Sequence, residues 1–379
     1  MNNTKIPYGK QHIDDNDINE VCSVLRSDWL TTGPKIPEFE RMVSEYVNSK
    51  YAVAVSSGTS ALHCCMYALN IGIDDEVIVP SMTFAATASC VRFQNATPIF
   101  VDVFPDTLLI NFHEVKKKIT QKTKAIIAVD YAGQPCDYDE LKKIADQYDI
   151  KIVSDACHSI GSMYKGKMTG SIADLTVFSF HPVKHITTGE GGMITTNNLE
   201  YAERMKRFRN HGINFDSQKR YKHKNWFYEI EEIGYNYRIT DIQCALGISQ
   251  IKKLPSFLER RKEIASIYDS HFSNMNWINP LKVQKNIRHA YHLYIVQLDA
   301  RIDRNEIYLK MLKKGIYLNV HYIPVHLHPA FRKIATTKET SCPVAEKANI
   351  LTLPIFPGMT DKNVEYVVVS LSNNFTYNQ

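Results

Sequence analysis

Residues 151–192 read KIVSDACHSIGSMYKGKMTGSIADLTVFSFHPVKHITTGEGG, and two apolar runs in that stretch decide the fold. The first contains Ile152 and Val153 and ends in Asp155; the second, LTVFSF, ends in Ser179–Phe180. Both are continuous rather than alternating, which marks strands buried on both faces of a mostly parallel sheet. The same texture extends upstream. YAVAVSS (51–57), EVIVP (76–80), TPIFVDV (97–103) and AIIAVDYAG (125–133) are each followed by a helical pattern. Those helices are the stretch holding Leu62, Met66 and Leu69, then TFAATASCVRF, a segment near 113–119, and DELKKIADQYD. The pattern predicts an α/β large domain, its sheet covered by helices. Ligands of such sheets bind at the carboxyl ends of strands, where Ser57–Gly58, Asp155 and Ser179 fall.

The texture changes after residue 240. Thr240 can cap a long helix, DIQCALGISQIKKLPSFLERRKEIASIYDSHF, which Pro255 is expected to kink or split in two. HAYHLYIVQLD (289–299) and IYLNVHYIP read as strands, NEIYLKMLKKGI as a helix ended by Gly315, and NVEYVVVSLSNN as a last helix. This mixture predicts a smaller α+β C-terminal domain. With 379 residues, too many for one ordinary core, the division is drawn as 1–245 and 246–379.

Composition narrows the function classes. The net charge is only +5 and scattered, with 44% hydrophobic and 22% charged residues, which argues against nucleic-acid binding. A mild positive balance suits an anionic small molecule. No apolar stretch reaches 18 residues, and the opening MNNTKIPYGKQHIDDND has no signal core. Eight cysteines without CxxC spacing, two of them adjacent, read as free thiols in a reducing compartment. The expectation is a cytoplasmic protein with no membrane partner.

Four segments carry candidate chemistry. In SSGTSAL (56–62), Gly58 permits a tight strand-to-helix passage, and Thr59 and Ser60 place hydroxyls and amides at a helix N-terminus, a phosphate-binding arrangement. A capped helix start explains that pattern equally well. No P-loop lysine accompanies it, which excludes nucleotide triphosphate hydrolysis on this motif. Asp155 can hold a protonated pyridine nitrogen or cap a helix; His158 can touch the ring or be a core histidine. Phe84, after the EVIVP strand, can stack on the ring or pack in the core. Lys184, just beyond the Ser179 strand end and ahead of TTGEGG, suits the amine that bonds a cofactor aldehyde and carries protons. An acid at one strand end, with a hydroxyl and a lysine at the next, is the donor set of a pyridoxal 5'-phosphate (PLP) site. His321, His326 and His328 have metal-like spacing, but Pro324 and Pro329 break any face on which they could converge, so no metal site is expected.

TTGPKIPEFE, SSGTSAL, TFAAT, DYAGQPCD, SDACHSIGSMYKGKMTG, FSFHPVKHITTGEGGM, GYNYRITDIQCALGISQIKKL and VHYIPVH together resemble the DegT/DnrJ/EryC1/StrS sugar aminotransferase family, from about residue 6 to 330. The resemblance implies the fold-type-I PLP aminotransferase architecture. Within the family it is similar to the branch that makes pseudaminic acid precursors, on the strength of IPYGKQHIDDNDI, SDWLTTGP, DYAGQP and VFSFHPVKHITTGEGG.

Carried over by position, the resemblance implies Lys184 as the Schiff-base lysine, Asp155 as partner of the pyridine nitrogen, His158 beside the ring and Phe84 stacked on it. Gly58, Thr59, Ser60 and Ser179 would hold the phosphate. Asn236 would reach the phosphate of a neighbouring subunit's cofactor, which implies a homodimer with shared active sites. Tyr8, the segment Asp28–Trp29–Leu30–Thr31 and the segment His321–Tyr322–Ile323–Pro324 match nucleotide-sugar contacts. A dehydratase branch replaces the lysine with histidine; the lysine here implies transamination.

The implied activity moves an amino group from glutamate to C4 of a nucleotide-linked 4-keto-6-deoxy sugar. The implied sugar is UDP-2-acetamido-2,6-dideoxy-β-L-arabino-hexos-4-ulose, on the way to pseudaminic acid of flagellin or another surface glycan. The alternatives are a different nucleotide 4-keto sugar, a non-catalytic PLP-fold regulator, and a lyase or decarboxylase acting on amino acids alone. Intact Lys184, Asp155 and Ser179 argue against a regulator, and the VHYIPVH and SDWLTT segments against an amino-acid enzyme.

Overall fold

The apolar runs of the first half form a seven-stranded sheet in the computed structural model, which describes residues 5–214, 226–338 and 340–372. Its strands are β1 (Tyr51–Val55), β2 (Glu76–Pro80), β3 (Thr97–Val101), β4 (Thr123–Val129), β5 (Lys151–Asp155), β8 (Leu175–Ser179) and β9 (Gly192–Thr196). The short β6 (Met163–Tyr164) and β7 (Lys167–Met168) lie between and pair with β11 (Ile287–Arg288) in a separate small sheet. The large sheet runs β1-β9-β8-β5-β4-β2-β3. Every neighbouring pair is parallel except those of β9, which is antiparallel to both β8 and β1.

Successive residues of one strand serve different cores, as a period of two requires. Val53 and Val55 pack in one cluster, Ala52 and Ala54 in another; Ala125 and Ile127 face one way, Ile126 and Ala128 the other. Both faces are therefore buried, which explains the unbroken apolar runs. Helices α1 (Asp15–Leu25), α2 (Lys35–Val47), α3 (Gly58–Ala68), α4 (Ala85–Phe93), α5 (Phe112–Lys118), α6 (Tyr138–Tyr148) and α7 (Leu199–Phe208) accompany the sheet.

The long helix α8 (Asp241–Phe272) starts at Thr240, whose side chain accepts the Gln243 amide at 3.2 Å. It runs unbroken through Pro255, against the expected split. Burial on both sides of the proline holds it together: Leu254 and Phe257 pack with Phe39 and Val43, while Ile264, Tyr268 and Phe272 pack in the core of a second sheet. That sheet is antiparallel, β10 (Ile278–Pro280), β12 (Tyr294–Leu298) and β13 (Ile350–Leu353). Helices α9 (Arg304–Lys313) and α12 (Asp361–Ser372) pack in its core, while α10 (Pro329–Thr337) and α11 (Pro343–Lys347) pack against the large sheet. A division at 245/246 would fall inside α8, and Val325, Phe331 and Ala335 return to pack with the large sheet. Residues 373–374 of the expected last helix lie outside the described residues.

Three expectations need correction. HAYHLYIVQLD is a strand only from Tyr294; residues 289–293 form a turn in which Tyr291 has φ +46° and donates its amide to His289 Nδ1 at 2.8 Å. IYLNVHYIP is no strand, because it meets a partner only at single bridges, Ile316 with Ile6 and Asn319 with Thr352. Strand β9 was not anticipated at all, since TTGEGG reads as loop. All eight cysteines are free, and among the described residues no helix is long and apolar enough to cross a membrane.

Candidate active site

The strand-to-helix turn 56–60 is built by a reciprocal cap. Ser57 Oγ accepts the Ser60 amide at 3.1 Å, and Ser60 Oγ accepts the Ser57 amide at 2.9 Å. Such a cap is worth about 1 kcal/mol. It leaves the Gly58 and Thr59 amides without an acceptor among the described residues, at the positive end of α3. Crowding favours Gly58: a Cβ there would lie 3.1 Å from Ser179 Cβ and 3.2 Å from Cys157 Sγ, so those side chains would have to give way. Gly192, opening β9, passes closer still, where a Cβ would stand 2.3 Å from the Ser57 carbonyl oxygen. The two glycines let the turn seat directly against the ends of β5, β8 and β9.

Asp155 closes β5 and is buried. Its carboxylate accepts the Thr87 hydroxyl at 2.7 Å and the Cys157 amide at 3.3 Å, while Thr87 Oγ1 lies 2.7 Å from Thr83 Oγ1. It makes no ion pair among the described residues. A buried carboxylate without a cation is costly unless a bound group supplies the positive partner.

Lys184 is half-buried, and desolvation lowers the pKa of its amine. Its Nζ lies 3.5 Å from His292 Nε2. Three imidazoles surround it. His158 Nε2 is 3.0 Å from the Tyr322 hydroxyl, and its Nδ1 is buried with no partner in the chain. His185 Nε2 is 2.9 Å from the Ala290 carbonyl. The His158 and His292 rings are 4.5 Å apart. Desolvation first, then the charge of Lys184, push His158 and His292 well below the usual imidazole range; His321 is pushed down to about 4 in the same way. The imidazoles are therefore neutral at physiological pH.

A cavity of about 360 Å³ joins these groups. Of the residues singled out in the sequence, Tyr8, Gly58, Thr59, Phe84, Asp155, His158, Ser179, Lys184, His321 and Tyr322 line it. Phe84 is 59% exposed, at the mouth rather than in the core. Tyr8 rests against His321, ring centroids 5.2 Å apart, and burial raises its pKa. Ser60 does not line the cavity; its hydroxyl and amide are engaged in the cap, so it holds the turn that presents Gly58 and Thr59. Ile323 points outward at 54% exposure, and Pro324 is buried without reaching the cavity.

Asn236 and the segment 28–31 are not brought to the cavity of their own subunit either. They share another neighbourhood: Thr31 bridges Thr240, the Leu30 carbonyl accepts the Asp241 amide at 3.0 Å, and Asn236 is exposed beside its bridge to Asn210. His326 Nε2 pairs with Glu346 at 3.0 Å, and no group of metal-ligating side chains occurs among the described residues. The sequence reading missed His292, Thr83 and Thr87. Only TFAAT, already quoted, offered a cue to Thr87.

Comparison with known proteins points one way. The model of the DegT/DnrJ/EryC1/StrS aminotransferase family matches residues 11–372. An uncharacterized protein of Methanocaldococcus jannaschii is 45% identical over 369 residues, 96% of each chain. The UDP-4-amino-4,6-dideoxy-N-acetyl-beta-L-altrosamine transaminase of Campylobacter jejuni is 38% identical over 334 residues, covering 87% of this chain and 86% of that one. Helicobacter pylori PseC, an aminotransferase involved in the biosynthesis of pseudoaminic acid, superposes with a TM-score of 0.92 at 31% identity, covering 98% and 99% of the two chains.

The cavity fits the cofactor of such aminotransferases, PLP. The carboxylate of Asp155, which makes no ion pair among the described residues, suits a pyridinium N–H, and the free amides of Gly58 and Thr59 suit a phosphate. The unpartnered His158 Nδ1 faces the same enclosure.

Proposed function

We propose, from the premise that the chain belongs to the DegT/DnrJ/EryC1/StrS aminotransferase family, that it moves an amino group from glutamate to C4 of a nucleotide-linked 4-keto-6-deoxy sugar. The chain is a PLP-dependent sugar aminotransferase; the donor, the acceptor, the subunit arrangement and the role of each site residue are the proposed parts. UDP-2-acetamido-2,6-dideoxy-β-L-arabino-hexos-4-ulose is the acceptor we favour. Its support is the likeness to the altrosamine transaminase and to PseC.

One observation carries the reading: a buried carboxylate that makes no ion pair among the described residues and a half-buried lysine line one cavity, beside a helix N-terminus with free amides. When bound, the cofactor supplies an electron sink for the carbanion formed at the substrate carbon. Asp155 holds the ring nitrogen in its protonated form, with Thr87 and the Cys157 amide fixing the carboxylate. Gly58, Thr59 and Ser179 hold the phosphate, helped by the helix dipole. Phe84 and His158 line the ring position.

Lys184 takes the proton from the donor's carbon and delivers one to C4 of the sugar. Its burial makes the ammonium a readier acid than a surface lysine, which suits an amine that must both accept and release a proton. Tyr8, His321 and Tyr322 form the wall on which the sugar nucleotide would rest.

We place Asn236 and residues 28–31 in the site of a second copy, forming a homodimer with shared sites. Support comes from the exposure of Asn236, Asp28, Leu30 and Thr31 and from exposed apolar side chains near them in the sequence: Leu30 is 47% exposed and Ile233 84%. A second copy of the chain would cover that surface.

Purified protein with PLP and glutamate, offered the arabino-configured UDP-4-keto sugar and its xylo epimer, tests the reading. 2-Oxoglutarate and an amino sugar should form together, faster with the arabino sugar. A faster reaction with the epimer or another nucleotide would move the acceptor; no amino sugar from any nucleotide 4-keto sugar would sink the proposal.

A further inference from the structure

We propose that His292 is a positioning residue for Lys184: its Nε2 accepts a hydrogen bond from the protonated amine and keeps that amine aimed between its two proton transfers. The inference rests on Lys184 as the proton carrier and adds a group that the sequence reading did not include.

The geometry separates His292 from its neighbours. It is the one side chain among the described residues with a polar atom in hydrogen-bond range of Lys184 Nζ, at 3.5 Å. The other two buried imidazoles have their Nε2 engaged elsewhere, His158 with the Tyr322 hydroxyl and His185 with the Ala290 carbonyl. A distance of 3.5 Å is at the outer edge of the range, and contacts of this kind tighten when substrate closes a site.

The loop that delivers His292 is clamped. Arg261, buried in α8, donates to the carbonyls of Tyr291, His292 and Ile355 at 3.1, 3.2 and 3.0 Å. On the other side the Ala290 amide donates to the Gly133 carbonyl at 2.9 Å and the Leu293 amide to the Ala132 carbonyl at 3.2 Å. Gly133, at φ +107°, comes so near that a Cβ would stand 3.0 Å from the His292 nitrogen. A leucine would fill this space without leaving a buried ring nitrogen, Nδ1, unpartnered. Burial and the charges of Lys184 and Arg261 keep the ring neutral, so it offers a lone pair to the ammonium rather than a second positive charge.

The test reads Lys184 directly, in full-length protein loaded with pyridoxamine phosphate, where the lysine amine is not bonded to the cofactor. Limited acetylation across a pH series, followed by peptide mass spectrometry with exposed lysines as internal references, gives the midpoint of Lys184. The amine is also faced by Asp155, Cys157, His158, His185 and His321, with Arg261 behind His292, so each variant is compared with wild type in one buffer series. His292→Leu should lower the midpoint by about one unit and speed labelling near neutrality about tenfold. His292→Gln, which retains an acceptor, should stay within a few tenths of a unit of wild type. If His292→Leu does not fold, His292→Phe takes its place, with folding checked by near-UV circular dichroism.

A midpoint unchanged in the Leu and Phe variants, or shifted equally in the Gln variant, would overturn the proposal. Wild-type turnover of keto sugars is measured separately. Its absence would count against the proposed reaction, whereas the labelling midpoint speaks only to the contact between His292 and Lys184.

Discussion

The Thr87 hydroxyl donates to the Asp155 carboxylate at 2.7 Å, from the first turn of α4 to the last residue of β5, and both are buried. A charge-assisted bond of this kind is worth about 1.5–3 kcal/mol. Thr87→Val should therefore weaken PLP binding about tenfold or more, while Thr87→Ser should bind nearly as wild type. Cofactor titration by fluorescence quenching measures both. Equal binding in the two variants would show that the hydroxyl does not support the carboxylate.

Lys184→Ala removes the proposed proton carrier and should slow turnover by about 10²–10⁴-fold. It also removes a half-buried amine whose charged form the fold disfavours. Thermal stability should consequently rise or stay level, never fall sharply. A variant that lost both activity and its melting transition would contradict this.

Two inactive variants test the shared site. In a mixed dimer of Lys184→Ala and Asn236→Ala chains, one site combines both defects and the other has neither. Random pairing makes about half of the dimers mixed, so co-refolded chains should recover about a quarter of wild-type activity. Each variant alone should stay near background. No gain on mixing would mean that Asn236 serves only its own subunit or no site at all.

Gly192→Ala drives a methyl group into the Ser57 carbonyl, 2.3 Å from the ideal Cβ position. Relief requires the backbone of the phosphate turn to move, at a cost of about 1–3 kcal/mol. A lowered denaturation midpoint together with weaker retention of the phosphate cofactor is the expected pair of effects.

The histidines set the acid limit of stability. Burial pushes His63 and His321 down to about 4 and His289 to about 3. Unfolded, each takes a proton near pH 6.5. Their depressed folded values mean that the unfolded state binds more protons between those limits, so stability is lost as pH falls from about 6.5 toward 4. The slope is up to about 1.4 kcal/mol per pH unit for the buried His63 and His321, less for the half-buried His289. Denaturant midpoints from pH 7 to 4.5 should fall with proton uptake on unfolding; a flat profile would contradict the burial of these rings.

The sheet and half of the site were legible because their information is local. Asp155, Ser179 and Lys184 sit in one stretch, each at or just after the end of a run whose burial is written in its own residues. His292 was not legible, because it meets Lys184 from a position 108 residues away, on a turn disguised by the strand-like HAYHLYIVQLD. Pro255 does not split the helix for a related reason: helix propensity is local, and packing on both sides of the proline is not. Asn236 and residues 28–31 carried a motif, but the fold of one chain leaves them apart from the cavity that the motif implies.

The placement of β9 has a consequence for how the protein is made. Strand β1, which leads into the turn proposed to hold the phosphate, hydrogen-bonds among the described residues to no strand but β9, with Tyr51 opposite Thr196. As the chain leaves the ribosome, β1 emerges long before this neighbour and waits, with an open edge, for well over a hundred residues. Non-local pairings of this sort slow folding and expose intermediates to aggregation. The proposed phosphate anchor is thus among the first segments synthesised and waits for β9 to be locked in place, so on this reading a growing chain holds the cofactor firmly only once the sheet is closed.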